Sequence, residues 1–211
     1  MSSGAGDHPW ILFDFDGTLV DTLPALRATY KTFLADHGAV GSDAEFNRLN
    51  GSLLPEIVAH LHMAHGIREE LGELERRYAT LLDAAAGSAV AMPGASELLA
   101  SFHPHIGLVT GGRAVDVDAV LRRLGWTFAV VVTGDRVAAG KPSPEPYRLA
   151  WREAGEPRRC VVVEDSPNGR RSAEEAGLLV LSVHRELGSG WHARDLAEAR
   201  SELLRWRDAS E

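Results

Sequence analysis

Ile11-Leu12-Phe13-Asp14-Phe15-Asp16-Gly17-Thr18-Leu19 is the stretch that decides the fold. A run of apolar residues leads directly into two carboxylates one residue apart and then into a Gly-Thr turn. The run reads as a buried strand. In an open α/β sheet, ligands bind beyond the carboxyl ends of the strands, so Asp14 and Asp16 fall where chemistry is expected. Taken alone, the stretch also fits a solvated Asp-x-Asp-Gly turn that caps the following helix.

Working outward, the spacing predicts four further strands over Ile106–Thr110, Phe128–Val132, Cys160–Glu164 and Leu178–Val183, with the first over Trp10–Asp14. Their hydrophobicity is continuous rather than alternating, as in a sheet covered on both faces. Helical patterns lie between them over Ala114–Leu124, Pro144–Ala154 and Ser166–Ala176, the last stopping at Gly177. This alternation predicts an α/β fold, a doubly wound Rossmann-like parallel sheet. Residues 21–87 break it with helical patterns only. One carries Leu23, Leu26, Tyr30, Phe33 and Leu34 and stops at Gly38; a second opens at Pro55; a third carries Leu71, Leu74, Tyr78, Leu81 and Leu82 and ends near Gly87. The expectation is a catalytic core of residues 8–20 and 88–211 with a helical cap inserted over 21–87.

The chain has 211 residues, 45% of them hydrophobic, with 22 basic side chains against 30 acidic ones and a formal net charge of -8. Enough apolar material is present for a core. The acidic balance argues against a nucleic-acid or anionic-membrane partner. Arg122-Arg123, Arg158-Arg159 and Arg170-Arg171 read as solvated faces, and the five tryptophans as packing residues rather than a base-stacking platform. The single cysteine, Cys160, opens an apolar run and reads as a buried hydrophobe. It fits a reducing compartment. Met1–Asp7 has no signal-peptide pattern and no run reaches membrane-spanning length, so the expected location is cytoplasmic.

Other strand ends add to the first. Thr110 precedes Gly111-Gly112, whose backbone amides could cradle an anion; Lys141 sits in the stiff turn Gly140-Lys141-Pro142; Glu164-Asp165 forms a second acidic pair. Each has a plain explanation, but together they gather acids, a hydroxyl and a cation on one rim. With these residues the chain resembles the haloacid dehalogenase-like hydrolases, in the group with a helical cap after the first motif. The four family motifs match as Asp14-Phe15-Asp16-Gly17-Thr18, Thr110, Lys141 and Glu164-Asp165. Gly140–Tyr147 and Val163–Gly169 are most similar to the sugar-phosphate phosphatase and β-phosphoglucomutase branch. The resemblance implies a magnesium-dependent phosphatase acting on a small phosphorylated, sugar-phosphate-like metabolite. Asp14 would be nucleophile and metal ligand. Asp16 would be general acid/base and bind magnesium through its backbone carbonyl. Asp165 would ligate, with Glu164 ligating or acting through water. Thr110, Gly111 and Lys141 would hold the phosphoryl oxygens, and Arg113 is the candidate for a distal group.

Alternatives remain within and beyond that family. Its dehalogenases lack the second aspartate, so Asp16 favours an oxygen leaving group. Phosphonate cleavage uses a cap lysine, and Lys31, the one lysine between 21 and 87, does not match that motif. A β-phosphoglucomutase-like mutase would place a histidine and an arginine where this chain has Leu26 and Leu54. A non-catalytic phosphometabolite-binding module would tolerate loss of a carboxylate, and none is lost. His60, His62 and His65 read as a solvated helix end rather than a zinc site. A monomer is expected, with a dimer left open.

Overall fold

Strand β1 (Trp10–Phe13) lies inside a six-stranded sheet. The computed structural model describes residues 8–86, 89–184 and 190–209. The other strands of that sheet are β4 (Ile106–Val109), β5 (Val130–Val132), β6 (Cys160–Glu164), β7 (Leu179–Val183) and β8 (Trp191–Ala193). Their order is β5-β4-β1-β6-β7-β8, and every neighbouring pair is parallel. The doubly wound α/β expectation holds. Strand side chains alternate between two buried layers: Ile11, Phe13, Ile106, Leu108, Val161 and Val163 enter one apolar cluster, and Leu12, Val109, Cys160 and Val162 the other. Both faces are covered, which is why these strands read as unbroken apolar runs.

Helices α5 (Ala95–Phe102), α6 (Ala114–Leu124), α7 (Glu145–Glu153), α8 (Pro167–Glu175) and α9 (Leu196–Asp208) flank the sheet. Several ends follow from local chemistry. Gly125 stops α6 with φ of 69°, and the Ser166 side chain caps α8 by accepting from the Gly169 amide at 3.0 Å. Two short strands, β2 (Val20–Asp21) and β3 (Val90–Ala91), pair antiparallel. Between them lie α1 (Leu23–Asp36), α2 (Asp43–Leu49), α3 (Leu54–His65) and α4 (Leu71–Ala86). These four helices share their own apolar cluster, which includes Tyr30, Phe33, Phe46, Leu61 and Leu74.

Several expectations need correction. The sheet has a sixth strand, β8, and its third predicted strand begins at Val130 rather than Phe128. Helix α2 was not expected; Ser42 creates it by accepting from the Glu45 amide at 3.1 Å. The predicted helix stop at Gly87 and the segment Met1–Asp7 lie outside the described residues. The solvated-end reading missed a partner: His60, whose side chain stays partly exposed, and the more covered His65 both turn to the buried Glu45 (2.9 and 3.0 Å). Arg159 is not a solvated charge: it stacks over Trp206 at 4.5 Å and donates to the Arg207 carbonyl. Arg123 is exposed, as expected of a solvated face, and also donates to the Ala89 carbonyl. Among the described residues, no helix is long and apolar enough to cross a membrane.

Candidate active site

The carboxyl ends of β1, β4 and β6 converge. Asp14 lies one residue past β1, Thr110 one past β4, and Glu164 ends β6 with Asp165 following. Lys141 reaches this point from the loop before α7 and is fully buried. Its ammonium donates to Asp14 Oδ1 at 2.6 Å, Glu164 Oε1 at 2.7 Å and the Val109 carbonyl at 3.0 Å. It also lies 4.9 Å from the centre of the Tyr147 ring. Burial alone would lower the lysine's pKa, but the Asp14 and Glu164 carboxylates outweigh it and hold the ammonium well above its usual range.

Asp16 occupies the other side of the β1 end. Its Oδ1 accepts from Thr22 at 2.7 Å and its Oδ2 from Thr110 at 3.0 Å. The Thr110 hydroxyl in turn accepts from the Gly112 amide at 3.0 Å, so of the two glycine amides Gly112's is committed. Burial raises the Asp16 carboxyl above its usual range, against the pull of both threonines.

Glu164 is held on all sides. Oε1 accepts from Lys141 and from the Tyr147 hydroxyl at 3.1 Å; Oε2 accepts from the Ser166 amide at 2.9 Å and the Ser166 hydroxyl at 3.0 Å. A Cβ at Gly169 would come within 1.6 Å of Glu164 Oε1, so glycine there leaves the room this carboxylate needs. Gly17 has a related part: at φ of +85° it turns the chain, and a Cβ would lie 2.7 Å from Asp165 Oδ2. Thr18 donates to Asp165 Oδ1 at 3.3 Å.

Asp14, Glu164 and Asp165 bring carboxylate oxygens within 4.8 Å of one another, and all three are buried. They are the one such group of potential ligands among the described residues; the three histidines of α3 form none. Burial first, then Glu164, holds Asp14 well above the usual carboxylate range, with Lys141 opposing. A space with more buried carboxylate than ammonium favours a further hard cation, and an all-oxygen donor set suits magnesium chemistry. Because each Glu164 oxygen already accepts two bonds, Asp14 and Asp165 are the better direct ligands.

A cavity of about 140 Å³ opens from Asp14 and Asp16 toward the helices of the insert. The Asn50-Gly51-Ser52 loop closes down on it: a Cβ at Gly111 would meet the Gly51 carbonyl at 2.7 Å. Asn168 donates to the Arg48 and Asn50 carbonyls at 2.8 and 2.9 Å, and Glu56 accepts from the Gly140 amide at 3.0 Å. Arg113 lines the cavity, but its guanidinium is tied to Asp116 and to Asp83 of α4.

Thr18, Thr22, Tyr147, Ser166, Asn168 and Glu56 were not foreseen as site residues. Thr18 and Ser166 had a signal, since each sits next to an acidic pair in the sequence. Tyr147 closes the stretch Gly140–Tyr147 that resembles the family, whereas nothing pointed to Glu56, whose partner Gly140 is remote in the chain.

A profile of the haloacid dehalogenase-like hydrolases matches residues 9–177. The chain belongs to that family and is a hydrolase. Validoxylamine A 7'-phosphate phosphatase of Streptomyces hygroscopicus subsp. limoneus is 33% identical over 182 residues, which cover 82% of this chain and 84% of the relative. Hexitol phosphatase A of Escherichia coli (strain K12) is 32% identical over 182 residues, covering 82% of each. The solved β-phosphoglucomutase of Clostridium difficile covers 95% of this chain and 96% of its own at a TM-score of 0.84; at 18% identity this is a likeness of fold. Cys160 takes no part in the site: it is buried, and burial pushes its thiol up to about 12.

Proposed function

We propose that the chain is a magnesium-dependent phosphatase that transfers the phosphoryl group of a small phosphomonoester to Asp14 and then to water. One observation carries the reading: Asp14, just past β1, lies 2.6 Å from the Lys141 ammonium and beside Glu164 and Asp165, while Asp16 is held separately by two threonines.

Asp14, Asp165 and the Asp16 carbonyl would hold the magnesium ion, which when bound supplies the charge that lets an anionic carboxylate approach an anionic phosphate. A carboxylate oxygen of Asp14 attacks phosphorus as the bond to the alcohol oxygen breaks. Asp16 gives its proton to that oxygen, and the alcohol leaves. Water then attacks phosphorus, Asp16 takes the water's proton, and the phosphorus bond to Asp14 breaks to release inorganic phosphate. Lys141, Thr110 and the Gly111 amide balance charge on the transferring oxygens. All three acceptors of Lys141 lie within 3.0 Å, so the phosphoryl group must replace one of them. Glu164, fixed by Tyr147 and Ser166, aims the lysine.

Residues 21–87 act as a cap over a core of 8–20 and 88–211. Leu26 and Leu54 line the cavity where a mutase pattern has histidine and arginine, which supports hydrolysis over mutase chemistry. The resemblance of the sequence and the hexitol phosphatase relative favour a sugar-phosphate-like ester, a reading that the leaving-group end of the cavity does not share. The buried, lone cysteine supports a cytoplasmic setting. The test is phosphate release from acetyl phosphate with magnesium. Release should stop reversibly with a chelator and permanently in Asp14→Asn, whose circular dichroism should match the parent. Undiminished release by Asp14→Asn would remove this mechanism.

A further inference from the structure

The cavity has two unlike ends. Asp14, Asp16, Gly111, Gly112 and Ser166 line one, and Asn50 and Ser52 stand on the loop pressed against it. From the insert, the wall is aliphatic and aromatic: Leu26, Phe46, Leu49, Leu54, Ile57 and Leu82. Val117, Val120 and Ala89 continue it from the core. The polar groups near this wall are mostly committed. Thr22 is bonded to Asp16, and the Tyr30 hydroxyl donates to Glu45, with the Ser42 carbonyl also within reach. Arg113 is paired with Asp83 and Asp116 at the seam between insert and core, which leaves Tyr78 to bring a hydroxyl to the wall and Asn50 and Ser52 to bring polar groups at the phosphoryl end.

We propose that the leaving group is an alcohol with a mostly hydrocarbon skeleton, so that the enzyme selects alkyl or alicyclic monophosphates over polyhydroxylated sugar or hexitol phosphates. The inference rests on the phosphatase reading and narrows its substrate. A hydroxyl pressed against Leu26, Leu54 and Ile57 gives up its water without gaining a partner, at a loss of about tenfold or more in binding. A methylene in the same place gains roughly fourfold. Across a six-carbon skeleton these effects run in the same direction. The relative named for hexitol phosphate does not decide the matter, because the phosphoryl end and this wall come from different parts of the chain.

The test compares hexyl phosphate with sorbitol 6-phosphate, two primary phosphate esters on the same six-carbon chain that differ in five hydroxyls. Acetyl phosphate serves as a minimal substrate. The expected result is a kcat/KM at least about 100-fold higher for hexyl phosphate, rising along methyl, propyl and hexyl phosphates. Hexylphosphonate should bind with a negative heat-capacity change. In Leu54→Asn the hexyl-to-sorbitol ratio should fall at least about tenfold. Turnover of acetyl phosphate together with equal or better use of sorbitol 6-phosphate overturns the inference and leaves the phosphatase reading standing. No turnover of acetyl phosphate or of either ester overturns both.

Discussion

Asp14 and Asp16 are two residues apart and do different work because their surroundings differ. Asp14 shares a buried space with Lys141, Glu164 and Asp165, whereas Asp16 is gripped by Thr22 and Thr110. If Asp16 is the proton donor, Asp16→Ala should slow alkyl phosphates by about 10²–10⁴-fold and acetyl or aryl phosphates far less, since their leaving groups are stable as anions. A leaving-group series with equal losses throughout would make Asp16 purely structural. Gly169 offers a separate check. Gly169→Ala forces a methyl group onto Glu164 Oε1, so Glu164 must move and Lys141 loses its brace. Activity should fall by more than tenfold, and stability by about 1–3 kcal/mol, the usual range for overpacking; kinetics with thermal melting would show both. The family motifs were legible here because most of their residues lie at strand ends, and Lys141 in a marked Gly-Lys-Pro turn, so each signal is local. The roles of Tyr147 and Ser166 were not, because what they do for Glu164 depends on packing across α7 and α8.

At the level of elements, α2 and α3 are joined through one buried carboxylate. Glu45 accepts from Tyr30, His60 and His65. Burial would raise its pKa, but those hydrogen bonds prevail and hold it below the usual glutamate range. The sign follows: the stability it contributes is complete above its unfolded pKa of about 4.3 and is lost as pH falls through the lowered folded value. Glu45→Ala should cost about 1–3 kcal/mol at neutral pH, because it strands three polar partners. Denaturant curves at pH 7 and below pH 4 should show the gap between parent and variant narrowing in acid, and a constant gap would assign the loss to packing. The sequence showed α1, α3 and α4 through their apolar spacing and missed α2, whose seven residues carry too few apolar positions to reveal a period. It missed β8 for a similar reason, since Trp191-His192-Ala193 is too short to stand out. The reading of a solvated helix end at His60 and His65 missed their shared partner, because Glu45 comes from a helix that was not expected at all.

Over the whole molecule, the insert and the sheet have separate apolar clusters and meet through polar links at Asn168 and Glu56. Polar links of this kind suit a part that opens for substrate. Replacing residues 21–87 with a short linker should leave a folded core that retains feeble activity on acetyl phosphate and loses its preference among larger esters. A core that keeps the parent's ranking would place selectivity on the strand rim and overturn the cap reading. Asn168→Ala should loosen closure, raising KM several-fold with a smaller change in kcat; steady-state kinetics on acetyl phosphate would separate the two effects.

The central claim is that phosphorus passes through Asp14, and the most direct measurement is to trap it there. The enzyme is mixed with magnesium and acetyl [³²P]phosphate, quenched in acid during the first turnover, digested and mapped. The account predicts label on the peptide that carries Asp14, chased by unlabelled substrate and absent in Asp14→Asn. Label on another residue, or turnover with no labelled protein at any time after mixing, would contradict it.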